Sequence, residues 1–295
     1  MKLRTEPNSL LRCLGRGAKP RALNRFWRRV PHAPYHGRVT YSTTSDRVRL
    51  DVDGDIAWIV LDAPEQHNAL EADDLVVFRS HLGRVDADEV VRVLVITGSG
   101  DATFCAGASL AQLESGDMSG DLFETLTDGL AAVRVPTVCA LNGSVYGGGA
   151  EIALCCDFRI GVTGSRLAIP AARLGVCYPV GGLTRYVHRL GLTVAQRLLV
   201  ASEEVDAHEM LRVGFLTELV APTELKGAAD RLAGRLASHA PLVVQAMKRI
   251  LSQVASGSLD VEEARALVAR CASSSDLQEG LAAKREGRAP RFEAR

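Results

Sequence analysis

The chain of 295 residues is 47% hydrophobic and 24% charged, which suits one or two globular domains with a large buried core. That mixture excludes a disordered, collagen-like or coiled-coil chain, and no apolar run approaches the roughly 18 residues of a membrane-spanning helix. The net charge of zero conceals an asymmetry: residues 1–49 carry 12 Lys and Arg against Glu6 and Asp46, so the remainder holds 23 basic and 33 acidic residues. A body this acidic gives no footing for nucleic acid. Residues 1–47 read as a basic, disordered extension. Without an apolar stretch they are no secretory signal, although a mitochondrial transit peptide remains the alternative. The seven cysteines form no C-x-x-C pair and are odd in number. They therefore read as reduced thiols in a cytoplasmic protein, with neither a disulfide frame nor a metal site.

Order is expected to begin near Val48. Val48 to Val52 alternates, Asp53-Gly54 supplies a hairpin turn, and Ile56 to Leu61 follows as a buried strand. Leu75, Phe78, Leu82 and Val85 fall at helical spacing, which predicts a helix over 70–85. Val90 to Thr97 is a strand stopped by Gly98-Ser99-Gly100. A helix over Leu122 to Val133, a strand over Thr137 to Asn142, a helix over Glu151 to Asp157 and a strand over Phe158 to Val162 complete an alternation typical of largely parallel α/β cores. Beyond about residue 183 the pattern is helical: 183–190, 193–201, 206–213, 223–238, 241–252 and 261–271.

Two glycine-bearing loops each follow a strand and lead into a helix. They are Phe104-Cys105-Ala106-Gly107-Ala108-Ser109-Leu110, and Asn142-Gly143-Ser144-Val145-Tyr146-Gly147-Gly148-Gly149-Ala150-Glu151. Backbone N–H groups at a helix start favour negative charge, and two converging donors would make an oxyanion hole. Taken singly, either loop is better explained by close helix–strand packing. No nucleotide-phosphate motif is present. Glu151 stands in the first turn of an otherwise apolar helix, where desolvation raises a carboxylate toward general acid–base use. An ordinary helix-dipole acid is the competing explanation. Asp157, His188, Glu114 and Asp117 read as structural or solvated, and Cys105 and Cys177 as small fillers.

Together these segments resemble the crotonase superfamily, the enoyl-CoA hydratase/isomerase group, over about residues 48–295. The resemblance rests on Pro64-Glu65-Gln66-His67-Asn68-Ala69-Leu70, the F-C-A-G-A-S-L loop, Ala140 to Asp157, Leu174-Gly175 with Gly181-Gly182, and the tail Lys284-Arg285…Pro290-Arg291-Phe292. It implies an α/β fold: a spiral core of repeated β-β-α units over 48–200, holding the acyl-CoA site, and a helical trimerisation region over 201–295. It further implies an acyl-CoA thioester as partner, no separate cofactor (coenzyme A being part of the substrate), and a homotrimer or dimer of trimers. By position, the hole donors are the N–H groups of Ala108 and Gly148, and Glu151 is the catalytic glutamate. His67, Ala106, Ser109, Tyr146, Ala171 and Tyr178 are substrate-binding positions.

The departures are as informative. A second glutamate is expected after Pro170, where Ala171 stands. An alternative acid position is Pro179, beside Tyr178. Neither residue transfers a proton, so Glu151 is the only retained catalytic glutamate. Ser109 replaces the loop's usual Asp and can still cap a helix. His67 replaces a Lys or Arg, which weakens one cationic contact to coenzyme A. Tyr178 reads either as a donor in the acyl pocket or as a packed side chain with a satisfied hydroxyl. The resemblance implies an enoyl-CoA hydratase-like lyase or an isomerase of fatty acid metabolism. A decarboxylase, hydrolase or other lyase variant, or a non-catalytic acyl-CoA-binding or scaffold member, is the alternative.

Overall fold

Residues 45–294 are described by the structure, a computed structural model. The basic extension before residue 45, with its transit-peptide alternative, lies outside the described residues. Gly54 adopts φ of 59°, as the tight turn between β1 (Val48–Asp53) and β2 (Ile56–Leu61) requires, and the two strands pair antiparallel. In α1 (Ala72–Ala87) the predicted stripe of Leu75, Phe78, Leu82 and Val85 is buried. The backbone N–H of Glu71 donates to Asp74 Oδ2 at 2.9 Å and fixes the helix start.

From β3 onward the chain winds as a spiral. Each turn lays one strand in a large sheet and the next strand in a small one, then returns through helix. The first turn is β3 (Val93–Gly98), β4 (Thr103–Cys105), α2 (Leu110–Ser115) and α3 (Gly120–Ala132). The second is β5 (Thr137–Leu141), β6 (Ser144–Tyr146) and α4 (Gly148–Cys155), and a third begins with β7 (Phe158–Val162) and β8 (Arg166–Ala168). After a 3-10 turn over Pro170–Leu174 come α5 (Val180–Leu190) and α6 (Leu192–Ala195), the latter running on as a π-turn over Gln196–Val200.

The stretch expected to be purely helical also contains strands. β9 (Val205–Asp206) pairs antiparallel with β8, and α7 (Ala207–Arg212) leads to β10 (Glu218–Val220), which pairs parallel with β7. Strands of two or three residues are too short to show a two-residue period. The chain ends in α8 (Leu225–Ala237), α9 (Pro241–Ser256), α10 (Val261–Ala272) and α11 (Ser275–Glu286), the last lying beyond the predicted helices.

The six-stranded sheet runs β1-β2-β3-β5-β7-β10 and the four-stranded one β4-β6-β8-β9. The central strands of the large sheet are covered on both faces, which explains their unbroken apolar runs. Leu94, Ile96, Cys139 and Leu141 face the small sheet and α1, α3 and α4, whereas Val93, Val95, Val138 and Ala140 face α8. Asp157, read as structural, accepts from Thr137 N at 2.8 Å and pairs with Lys248 of α9 at 2.7 Å.

Two asparagines hold the spiral's turns in register. Asn68, 1% exposed, accepts from Ala63 N at 3.0 Å and donates to the carbonyls of Ser99 and Thr103 at 3.0 and 2.9 Å. Asn142 accepts from Gly98 N at 3.0 Å and donates to Gly100 O at 2.9 Å. Both amides thus clamp the β3–β4 connection, and Asn68 tolerates a φ of 53° that suits asparagine better than most residues. Asn68→Ala is expected to lower the unfolding free energy by about 2–4 kcal/mol, because buried backbone groups lose their partners. Urea denaturation checks this, and an unchanged midpoint would contradict the clamp.

Candidate active site

The parallel strands β4, β6 and β8 deliver their C-terminal ends to one edge of the small sheet. The loop after β4 and the loop after β6 meet there. A Cβ on Gly107 would lie 2.5 Å from the backbone nitrogen of Gly148, so the two chains touch backbone to backbone. Gly107 also has φ of 87°, which an L side chain rarely adopts. The next residue, Ala108, bridges Leu70 in parallel, with Leu70 N donating to Gly107 O and Ser109 N to Leu70 O, both at 2.8 Å. Among the described residues, neither the Ala108 N–H nor the Gly148 N–H donates a hydrogen bond to the protein. Gly148 is the first residue of α4, so its free N–H also carries the positive end of the helix dipole.

One turn further along α4 sits Glu151, 1% exposed. Arg185 Nη1 of α5 donates to Glu151 Oε1 at 2.6 Å, and Arg185 Nη2 pairs with Asp128 of α3 at 2.7 Å. Gly182 lies against the same carboxylate, since a Cβ there would stand 3.0 Å from both its oxygens. Burial pushes the Glu151 carboxyl above the ordinary 4.5, opposed chiefly by Arg185 and then by the Thr127 hydroxyl, and reinforced by Asp128 and Glu124. Glu124 anchors the start of α5 by accepting from Gly181 N at 2.6 Å. Phe123 of the same helix covers Gly148, leaving no room for a side chain there.

The remaining positions divide. Ala106 N donates to His67 O at 3.0 Å, which lays the His67 loop alongside the β4 loop. His67 itself is left-handed at φ of 55°, with Nδ1 3.0 Å from Thr103 Oγ1. Ala171 is buried in the 3-10 turn after β8, in the apolar cluster that includes Tyr186 and Leu126 and against which Tyr178 packs. Ser109 occupies the N-cap position of α2 but its side chain makes no capping bond, contrary to the expectation. Tyr146 follows inward-facing Val145 on β6, so it stands on the opposite face of the small sheet, the side of Ser144 and Arg166. Strand alternation already contained that signal.

The Tyr178 hydroxyl is buried beside that of Tyr186, and among the described residues it has no hydrogen-bond partner outside that pair. Cys105 donates to Asn68 O and accepts from Gly107 N, and burial pushes its thiol up to about 12, so it serves the loop as a hydrogen-bonded filler. Glu114, Asp117 and His188 are exposed. Sequence reasoning missed Arg185, Asp128, Glu124, Gly182 and Tyr186. Their available signal was spacing, with Gly182, Arg185 and Tyr186 on one face of α5, and Glu124 and Asp128 four apart on α3.

The β-β-α spiral is that of the crotonase fold, and its two glycine-bearing loops touch beside a buried carboxylate. A family model described as enoyl-CoA hydratase/isomerase matches residues 51–295, and the chain belongs to that family. It is 30% identical to a crotonyl-CoA hydratase of Syntrophomonas wolfei over 84% of this chain and 98% of the relative. It is 33% identical to a carnitinyl-CoA dehydratase of Proteus mirabilis over 85% of this chain and all of that one. Superposition on the crystal structure of an enoyl-CoA hydratase from Bacillus anthracis gives a TM-score of 0.77 at 25% identity, covering 84% of this chain and 100% of that structure. Among the described residues no helix is long and apolar enough to cross a membrane.

The Arg185 pair fixes a sign that can be measured. Arg185→Met removes the main pull opposing desolvation, so the Glu151 carboxyl rises further above 4.5. A carboxyl raised on folding favours the folded state at low pH, and that stability is lost as pH rises through the folded value. The variant is therefore expected to lose this contribution over a window extending to higher pH than in the wild type. Titration of 13C-labelled glutamate by NMR reads the shift, and a value at or below that of the wild type would contradict it.

Proposed function

We propose that the protein is an acyl-CoA-metabolising enzyme that adds water to, or removes it from, a thioester-activated acyl chain. The thioester carbonyl accepts from the N–H groups of Ala108 and Gly148, and Glu151 is its only catalytic carboxylate. The observation that carries this reading is the backbone contact of Gly107 with Gly148, which joins two loops bearing unengaged amides one helical turn from a buried, raised glutamate. The relatives support it, a crotonyl-CoA hydratase and a carnitinyl-CoA dehydratase, both of which concern water at a coenzyme A thioester.

The chemistry follows from the charges. Addition at the β-carbon drives electrons onto the thioester oxygen, and fixed amide donors about 3 Å away stabilise that oxyanion, each worth about 3–4 kcal/mol in the transition state. Glu151 takes the proton from water and returns it to the α-carbon. Because Arg185 engages Oε1, the second oxygen, Oε2, carries that proton. Ala171 leaves no second carboxylate, so hydration of crotonyl-CoA is slower than in an enzyme with two. Coenzyme A enters as part of the substrate, and no separate cofactor is invoked. The buried thiols of Cys105, Cys139, Cys155 and Cys156 fit a reducing compartment such as the cytoplasm.

The assembly we propose is a homotrimer or a dimer of such trimers. Met247, Leu251 and Val254 form an exposed apolar row at helical spacing on α9, with Val268 exposed on α10. Such a face is expected to be covered by further copies of the chain. Sedimentation at the mass of a single chain would contradict this.

Glu151→Gln is expected to cut turnover of enoyl-CoA thioesters by about 10²–10⁴ while leaving binding largely intact. The wild-type kcat/KM is expected to fall on acidification with a midpoint above 4.5, since the ionised base is required and burial has raised it. Steady-state assays across a series of acyl-CoAs and pH values check both. An undiminished rate in folded Glu151→Gln would remove Glu151 from the mechanism.

A further inference from the structure

A second feature of the same site is a pair of buried tyrosines. Tyr178 and Tyr186 meet edge to face, with ring centroids 5.9 Å apart and planes at 84°. Both hydroxyls are buried beside one another, and among the described residues neither has a hydrogen-bond partner outside the pair. Burying a hydroxyl that lacks a full set of partners is costly, and phenylalanine would fill either place without that cost. Even a bond from one hydroxyl to the other would leave one O–H proton to donate. Tyr186 shares a face of α5 with Gly182, where an added Cβ would stand 3.0 Å from the Glu151 carboxylate oxygens, and it directly follows Arg185, which binds that carboxylate. The pair therefore lies close to Glu151, whose charge acts on both phenols.

Resting on the hydration reading above, we propose that the Tyr178 hydroxyl, backed by that of Tyr186, holds the attacking water against Glu151 in place of the second carboxylate missing at Ala171. The step balances without an added reactant. One water O–H proton passes to Glu151 Oε2 as the water oxygen bonds to the β-carbon. The double-bond electron pair moves toward the α-carbon and the thioester oxygen, and Glu151 then delivers the proton to the α-carbon. Tyr178 keeps its own proton throughout. Burial, and then the nearby Glu151 charge, push its phenol well above the ordinary range, so it acts as a neutral hydrogen-bonding group and neither as acid nor as base. Its placement is firm, because Pro179 follows it and Glu124 ties the adjoining start of α5 to α3.

The test separates water addition from proton transfer. Wild type, Glu151→Gln, Tyr178→Phe and Tyr186→Phe are assayed for crotonyl-CoA hydration and for exchange of the α-protons of butyryl-CoA into heavy water. Tyr178→Phe is expected to lower the hydration kcat about 10–100-fold, the worth of one or two well-placed hydrogen bonds. KM and α-proton exchange are expected to stay within about twofold, and the melting temperature to stay level or rise, because the lost hydroxyl had no partner outside the tyrosine pair. Tyr186→Phe is expected to show a weaker version of the same split. If Tyr178→Phe hydrates like the wild type while Glu151→Gln is impaired, the tyrosine assignment is overturned and the Glu151 reading stands. Equal loss of hydration and exchange in Tyr178→Phe would overturn it too, since that marks general disturbance of the site. If the wild type hydrates and exchanges nothing, or Glu151→Gln loses nothing, the hydration reading fails and this assignment with it.

Discussion

Where the loop after β4 meets the loop after β6, two stretches of backbone come closer than any side chain allows. A Cβ on Gly107 would stand 2.5 Å from Gly148 N, and Gly149 and Gly143 press equally close on the backbone of Cys105 and Ala102. This contact forces several other features. The β3–β4 connection must be clamped to bring Cys105 to Gly149, which is the work of Asn68 and Asn142. The helix that follows must begin at once, so that Gly148 N stays free and Glu151 falls one turn below it. The spiral repeats because each of its turns has to return a strand to the small sheet beside the last.

Glu151 illustrates how the fold tunes a charge. Its desolvation is only partly offset by Arg185, which also serves Asp128, while Asp128 and Glu124 push the carboxyl up again. A guanidinium shared between two carboxylates neutralises neither fully. Three helices from separate turns of the chain converge to set this balance: α3 through Glu124, Thr127 and Asp128, α4 through Glu151, and α5 through Gly182 and Arg185. Removal of Arg185 would leave the Glu151 charge buried without its counterpart, which is costly in an apolar surround.

The long elements were legible because their burial is periodic. Leu75, Phe78, Leu82 and Val85 mark α1, and the β-branched run at Val93–Gly98 marks a strand buried on both faces. The strands β4, β6 and β8 were not, since three residues carry no period, and they matter most because they aim the loops. Glu151 was legible as a lone carboxylate in an apolar helix. Its ion pair was not, because Arg185 lies 34 residues away and reaches it only through the return of α5. Ser109 was placed correctly at a helix start, yet it makes no capping bond, which residue type does not disclose. Tyr178 was visible as a candidate, but its hydroxyl's lack of a partner outside the tyrosine pair depends on what the surrounding core withholds.

The central claim is that the Ala108 and Gly148 amides polarise a thioester carbonyl. Isotope-edited infrared spectroscopy of crotonyl-CoA carrying 13C at its thioester carbonyl, bound to the folded Glu151→Gln variant so that no turnover intervenes, reads that polarisation directly. Two fixed donors on one oxygen weaken the C=O bond, so the carbonyl stretch is expected to move to lower frequency on binding than in water. A bound thioester whose carbonyl stretch matches or exceeds its value in water would contradict the account.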